Sequence, residues 1–114
     1  MTNTQSTLRT FSAPVDICDL DERGRPGPPW CVRAQAISRS ILEVRSRRMC
    51  YVNATVGMAI HLIDDEPMLL LGRIASCVYD SDGQYAIRIA LTDRPADTAV
   101  RDALTQWFLD ARDA

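Results

Sequence analysis

Arginine is the side chain of this sequence with the clearest capacity for binding chemistry. All thirteen Lys/Arg positions are arginine, and His61 is the single histidine. Guanidinium groups bind phosphates and the O6/N7 edge of guanine through paired hydrogen bonds. Arginine side chains are therefore suited to binding a phosphate or a guanine base. A compositional bias of the source genome would also explain the absence of lysine.

The other reactive side chains lack the partners that catalysis or metal binding requires. His61 has no second histidine, cysteine or carboxylate at ligand spacing, so a packed or half-exposed role is favoured over a metal site. The acidic run 64–66 lies in one turn, where exposed carboxylates keep similar pKa values and cannot divide acid and base roles. The four cysteines form no Cys-x-x-Cys pair, which predicts reduced thiols packed as small apolar residues.

Length and composition predict a single soluble domain. The chain has 114 residues, 46% of them hydrophobic, which is enough for one hydrophobic core. Its formal charge of −2 argues against binding DNA, RNA or an anionic membrane through bulk charge. No segment has the length of a membrane span, and the polar N-terminus does not resemble a secretory signal. We therefore expect a cytoplasmic protein.

Alternation of apolar and polar residues predicts a mainly β structure. A Gly/Pro-rich loop at 21–29 follows the first strand, Val56 and Gly57 form a turn before the fourth, and Gly72 marks a bulge or bend in the fifth. The predicted strands are 15–20, Trp30–Ile37, Ile41–Val44, Met58–Ile63, Met68 to about Val78, and Tyr85–Leu91.

After 92–95 the period changes to that of an amphipathic helix, which predicts one C-terminal α-helix. Six short antiparallel strands and one helix indicate a closed or nearly closed barrel, because closure removes exposed edges. The helix would pack on the barrel or plug one mouth. We expect residues 1–10 to form a flexible arm and residues 11–114 to form the barrel domain with its helix.

The order of these elements resembles a PilZ-like domain over nearly the whole chain. The matching fragments are Ala36-Ile37-Ser38-Arg39-Ser40-Ile41-Leu42 at a turn, Val56-Gly57-Met58-Ala59-Ile60-His61-Leu62, and Leu71-Gly72-Arg73-Ile74 followed by Tyr85-Ala86-Ile87-Arg88-Ile89. The resemblance implies a six-stranded antiparallel PilZ-like β-barrel with one C-terminal α-helix. It also implies a bacterial signalling domain without enzymatic activity.

Members of that family commonly bind cyclic di-GMP through Arg-x-x-x-Arg just before the first strand and Asp/Asn-x-Ser-x-x-Gly in the turn between the second and third strands. Arg9 matches the second arginine, but Gln5 stands at the first. Ser38 matches the serine, whereas Ala36 and Ile41 replace the acid or amide and the glycine. The resemblance thus implies an eroded nucleotide site.

The leading hypothesis is a regulatory domain that acts by binding another protein or by binding itself as a homodimer, with no cofactor and no metal. The alternative is that cyclic di-GMP is still bound through Arg9, Ser38, Arg39 and Arg33. A small hydrolase or metal-dependent enzyme carried on a barrel is the third hypothesis. Activity screening and metal analysis would test it.

Overall fold

Six antiparallel strands form a closed barrel in the computed structural model, which describes residues 8–38, 40–61, 68–80 and 82–92. Around the barrel the strands follow the order β1-β2-β3-β6-β5-β4. This architecture confirms the predicted barrel. The strands are β1 (Arg9–Asp19), β2 (Trp30–Ile37), β3 (Ile41–Ser46), β4 (Thr55–Ile60), β5 (Met68–Tyr79) and β6 (Tyr85–Leu91).

The barrel interior is filled by the side chains on one face of each strand. Val15 and Ile17 alternate with exposed or half-buried residues in β1, and Ile87 and Ile89 do the same in β6. This period of two is what places every second side chain in the core. The largest fully buried side chains are Ile17, Leu42, Met58, Ile60, Ile74, Ile87 and Ile89.

The register defines two ends of the barrel, which we name by residues. At the Arg9 end lie the start of β1, the β2–β3 turn and the start of β5. At the Trp30 end lie the loop 20–29, the loop 47–54 and the β5–β6 turn, where Tyr79 pairs with Tyr85. The two ends therefore carry different loops and different chemistry.

Several predicted boundaries differ from the structure. β1 begins at Arg9, so the last two residues of the predicted arm belong to a strand, and residues 1–7 lie outside the described residues. The predicted turn at Val56 and Gly57 is wrong, because both residues pair with β1 and β5 inside β4. The predicted turn at 64–67 and the C-terminal helix also lie outside the described residues.

The irregularity of β5 lies after Gly72 rather than at it. The register against β6 shifts between Ile74 and Ser76, whereas Gly72 pairs regularly with Leu91. A Cβ on Gly72 would lie 2.5 Å from Cγ2 of Ile89. The glycine therefore permits close packing between strands, because no larger residue fits without displacing its neighbours.

The predicted connecting loop 21–29 begins with a compact turn. The carboxylate of Asp21 accepts hydrogen bonds from the backbone N–H groups of Arg23 and Arg25, each at 2.8 Å. These bonds stabilise the ionised form and lower the pKa of Asp21. Gly24 adopts a φ of 76°, a conformation that glycine accepts without steric cost.

Within the described residues no helix is long and apolar enough to span a membrane.

Candidate functional site

Arg9 lies beside the β2–β3 turn because β1 pairs with the last residues of β2. It is the first residue of β1, it is exposed, and it stands opposite Ile37, directly before Ser38. Two residues that are 29 positions apart in sequence are therefore brought to one end of the barrel. The structure thus places together two of the four residues predicted to bind a nucleotide.

Ser38 closes the β2–β3 turn with its own side chain. Its backbone N–H donates to the carbonyl of Ile41 at 2.8 Å. Its hydroxyl oxygen accepts hydrogen bonds from the N–H groups of Ser40 at 3.2 Å and Ile41 at 3.1 Å. This is the local turn chemistry expected of serine. The hydroxyl keeps one hydrogen to donate, but its acceptor capacity is already used.

The two positions that depart from the family pattern flank this turn. Ala36 stands opposite Thr10 on β1 and Glu43 on β3, and Ile41 stands opposite Ala90 on β6. Neither side chain carries a polar atom, so neither can accept a guanine N–H group. The turn therefore offers no carboxylate or amide where the family pattern has one.

The other two predicted ligand residues do not join this group. Arg39 lies outside the described residues. Arg33 is exposed on the outer face of β2, opposite Pro14 and Arg45. Arg33 and Ile37 are four positions apart along the strand, a distance of about 13 Å. Arg33 therefore belongs to a different surface of the barrel.

A histidine–aspartate pair that the sequence did not reveal lies on the outer face of β1 and β4. The His61 Nε2 and Asp16 Oδ2 atoms are 2.6 Å apart, and both side chains are largely buried, at 16% and 18% exposure. The two residues are 45 positions apart, so only the β1–β4 register could have shown the contact. Among the described residues, no group of three potential ligands could hold a metal ion.

The Trp30 end is organised around a buried serine. Ser46 is 2% exposed, and its hydroxyl donates to the carbonyl of Arg48 at 2.8 Å. The same oxygen accepts the backbone N–H of Arg48 at 3.0 Å and the indole N–H of Trp30 at 3.3 Å. The Arg48 guanidinium lies 4.0 Å from the centre of the Trp30 ring and 3.3 Å from Asp19. Arg48 is therefore an exposed residue whose guanidinium contacts both Trp30 and Asp19.

Large hydrophobic side chains are exposed at this same end. Loop 47–54 and the last residues of β5 both lie there, and Tyr79 makes an edge-to-face contact with Tyr85 at 5.5 Å. Exposed apolar groups gathered at one place are typical of protein-binding surfaces. We call this group the apolar end; among the described residues it comprises Met49, Tyr51, Val52, Val78 and Tyr79.

The cysteines divide into two kinds. Cys18 and Cys50 are buried, and desolvation raises the pKa of each thiol from 9.0 to about 11. Cys77 is half-buried and packs against the core, but Cys31 is exposed. The prediction that the thiols are packed apolar residues is thus confirmed for three of them and wrong for Cys31. All four are free thiols.

The described barrel and its turns define a PilZ-like fold, and the comparisons with known proteins support it. The structure is similar to that of the Bacillus subtilis inhibitor of motility MotI/DgrA, with a TM-score of 0.61 and 13% sequence identity. The match covers 98% of this chain and 52% of the other, so the chain spans about half the length of that protein. No protein-family model matches the sequence, and no curated protein matches it.

Proposed function

We propose that this chain is a PilZ-like regulatory domain without enzymatic activity that acts by contact with another protein in the bacterial cytoplasm. The similar structure is named as an inhibitor of motility, which is a regulatory role. The four free thiols suit a reducing compartment. The domain keeps the barrel of the cyclic di-GMP receptors but not their full set of ligand groups.

The observation that carries this proposal is the state of the β2–β3 turn. Ser38 uses the acceptor capacity of its hydroxyl within the turn, and Ala36 and Ile41 offer no polar atom to a guanine base. A lost hydrogen bond to a buried polar group costs about 1–3 kcal/mol. One such loss weakens binding about fivefold to over a hundredfold. The first arginine of the family motif is replaced by Gln5 as well.

The apolar end supports the protein-binding part of the proposal. Tyr51 is 75% exposed and Tyr79 is 62% exposed. Tyrosine is enriched at protein interfaces, because a large apolar ring carries a hydroxyl that tolerates water. This surface lies at the opposite end of the barrel from Arg9. Protein binding there would not require any contact with the β2–β3 turn.

Calorimetric titration with cyclic di-GMP, at low and at physiological salt, tests the proposal. We expect no saturable heat from the folded protein. Micromolar or tighter binding that disappears in Arg9→Ala would overturn it. Circular dichroism of both proteins must show the same β-rich spectrum, so that a silent titration reports an absent site and not an unfolded chain. Light scattering would show whether the contact is with a second copy.

Retained binding of cyclic di-GMP is the second candidate, and one observation favours it. The β1–β2 register holds Arg9 beside Ser38, as a two-part phosphate and base site would require. Arg39, between the two serines of the turn, would supply the missing second guanidinium. In this case affinity would fall as salt rises, because guanidinium–phosphate attraction is screened, and Arg39→Ala would weaken binding as much as Arg9→Ala.

A further inference from the structure

A groove runs over the outer face of the sheet formed by β2, β3, β6 and β5. Its volume is about 370 Å³, and Arg45, Val78 and Ala86 are among the residues that line it. Ala86 stands between Arg45 on β3 and Val78 on β5. Because alanine is small and both neighbours are long or branched, the middle strand leaves a depression in an otherwise continuous face. We call it the arginine groove.

The charges along the arginine groove are fixed by two ion pairs. Arg45 pairs with Asp80 at one side, and the Nε of Arg88 lies 2.5 Å from a carboxylate oxygen of Glu43. The Arg88–Glu43 pair joins the neighbouring strands β6 and β3, and the Arg45–Asp80 pair joins β3 to the turn between β5 and β6, so the guanidinium groups hold defined positions. Ordered guanidinium groups bind a carboxylate with less loss of side-chain freedom than mobile ones.

Arg33 does not line the groove, but it adds a positive charge to the same outer face beside it. It stands directly opposite Arg45 across the β2–β3 ladder, where Cβ atoms lie about 4.5–5.5 Å apart. Like charges at that separation destabilise a sheet. Among the described residues Arg33 has no acidic partner, while Arg45 has one. A carboxylate placed between the two guanidinium groups would relieve their repulsion.

The same groove has an apolar side. Val78 is 61% exposed, and it belongs both to the arginine groove and to the apolar end. A ligand that lies along the groove therefore meets Arg45 on β3 and an apolar side chain on β5, and Arg33 on β2 stands next to Arg45 at the edge of the groove.

We propose that the arginine groove binds a segment of a partner protein that presents a carboxylate side chain beside an aliphatic one. The carboxylate bridges Arg33 and Arg45, and the aliphatic side chain packs on Val78 and Ala86. The charge complementarity of Arg33 and Arg45 with an acid selects this partner chemistry. This inference rests on the proposed protein-binding function and names the surface that would carry it.

The test is a selection of random dodecapeptides displayed on phage against the immobilised full chain. Enriched sequences are then synthesised with a fluorescent label, and their affinity is measured by anisotropy. We expect the enriched peptides to combine Asp or Glu with Val, Leu or Ile. Arg33→Glu and Val78→Asp should each weaken binding about tenfold or more. Both residues are exposed, so both variants should fold.

Arg23→Glu is the matched control, because it reverses the charge of an exposed arginine in the loop 21–29 that does not line the arginine groove. It should leave peptide affinity unchanged. A peptide with lysine in place of its acid should regain affinity for Arg33→Glu, which a merely unfolded variant could not produce.

Three results would overturn the groove assignment. If Arg33→Glu and Val78→Asp leave the affinity of the enriched peptides unchanged, protein binding takes place elsewhere on the molecule, and the proposed function stands. Enrichment of no peptide at all would remove the groove as a docking surface. Binding of a labelled single-stranded oligonucleotide that is lost in Arg33→Glu would assign the groove to nucleic acid. Cyclic di-GMP calorimetry separately decides the proposed function.

Discussion

Gly72→Ala is expected to destabilise the barrel, because the added methyl group has no room. A Cβ at this position would lie 2.5 Å from Cγ2 of Ile89, 2.9 Å from the carbonyl oxygen of Ala90 and 3.2 Å from Cε of Met58. Carbon atoms in contact are normally about 3.5–4.0 Å apart. Ile89 must therefore move by about 1 Å or more, and the backbone oxygen cannot move without disturbing the β5–β6 ladder.

The magnitude follows from two opposing effects. Overpacking a core costs about 1–3 kcal/mol. Replacing glycine by alanine reduces the freedom of the unfolded chain and returns about 0.4–1 kcal/mol. The net loss for Gly72→Ala should therefore be about 1–2 kcal/mol. Urea unfolding followed by circular dichroism measures it as a lower midpoint with an unchanged slope.

Gly57→Ala is the matched control on the neighbouring strand. A Cβ there would meet Sγ of Cys18 at 3.6 Å and Cδ2 of Leu20 at 3.7 Å, which are ordinary contacts. Gly57→Ala should therefore be neutral or slightly stabilising. If Gly72→Ala were as stable as Gly57→Ala, the close packing of β5 against β6 would be wrong. In an Ile89→Ala background the cost of Gly72→Ala should shrink, since the nearest clashing atom is gone.

Two further perturbations address the buried polar and titratable groups. Ser46→Ala removes the oxygen shared by three hydrogen bonds, each worth about 0.5–1.5 kcal/mol, so denaturant unfolding should show a loss of about 2 kcal/mol. Ser76→Ala on the outer face should change stability by less than about 0.5 kcal/mol, and equal effects of the two would contradict the role of Ser46. At pH 8 a thiol reagent should label Cys31 first, whereas the protonated, buried Cys18 and Cys50 should react only after unfolding. In the folded protein the pKa of the Cys18 and Cys50 thiols is about 11, above the value of 9.0 for an exposed thiol. The stability that these two thiols contribute is therefore complete below pH 9 and is lost as the pH rises to about 11. Rapid labelling of all four thiols in the folded protein would refute their burial.

Strand positions were predicted well wherever the alternation was regular. β2 and β6 have the predicted bounds, because apolar residues at every second position fix which side chains enter the core. β4 was misplaced, because Val56 and Gly57 read as a turn in isolation. In the barrel both are paired on two sides, and tertiary pairing overrides the weak strand preference of glycine.

The candidate site was also predicted only in part, because its local turn can be read from the sequence but its contacts between strands cannot. The Ser-Arg-Ser turn has a local chemistry that a sequence displays directly, and the hydrogen bonds of Ser38 confirm it. The separation of Arg33 from Arg9 could not be read from spacing, since it depends on the register of β2 against both neighbours. The contact of His61 with Asp16 has the same origin.

The sequence by itself determined that six strands form and which faces of them are apolar. Those properties are local, since they depend on residue type and on a period of two. Only the closed barrel decided which distant residues meet. Strand order and register place Arg33 opposite Arg45 and gather the exposed apolar residues at one end, because cross-strand contacts are set by pairing and not by distance along the chain.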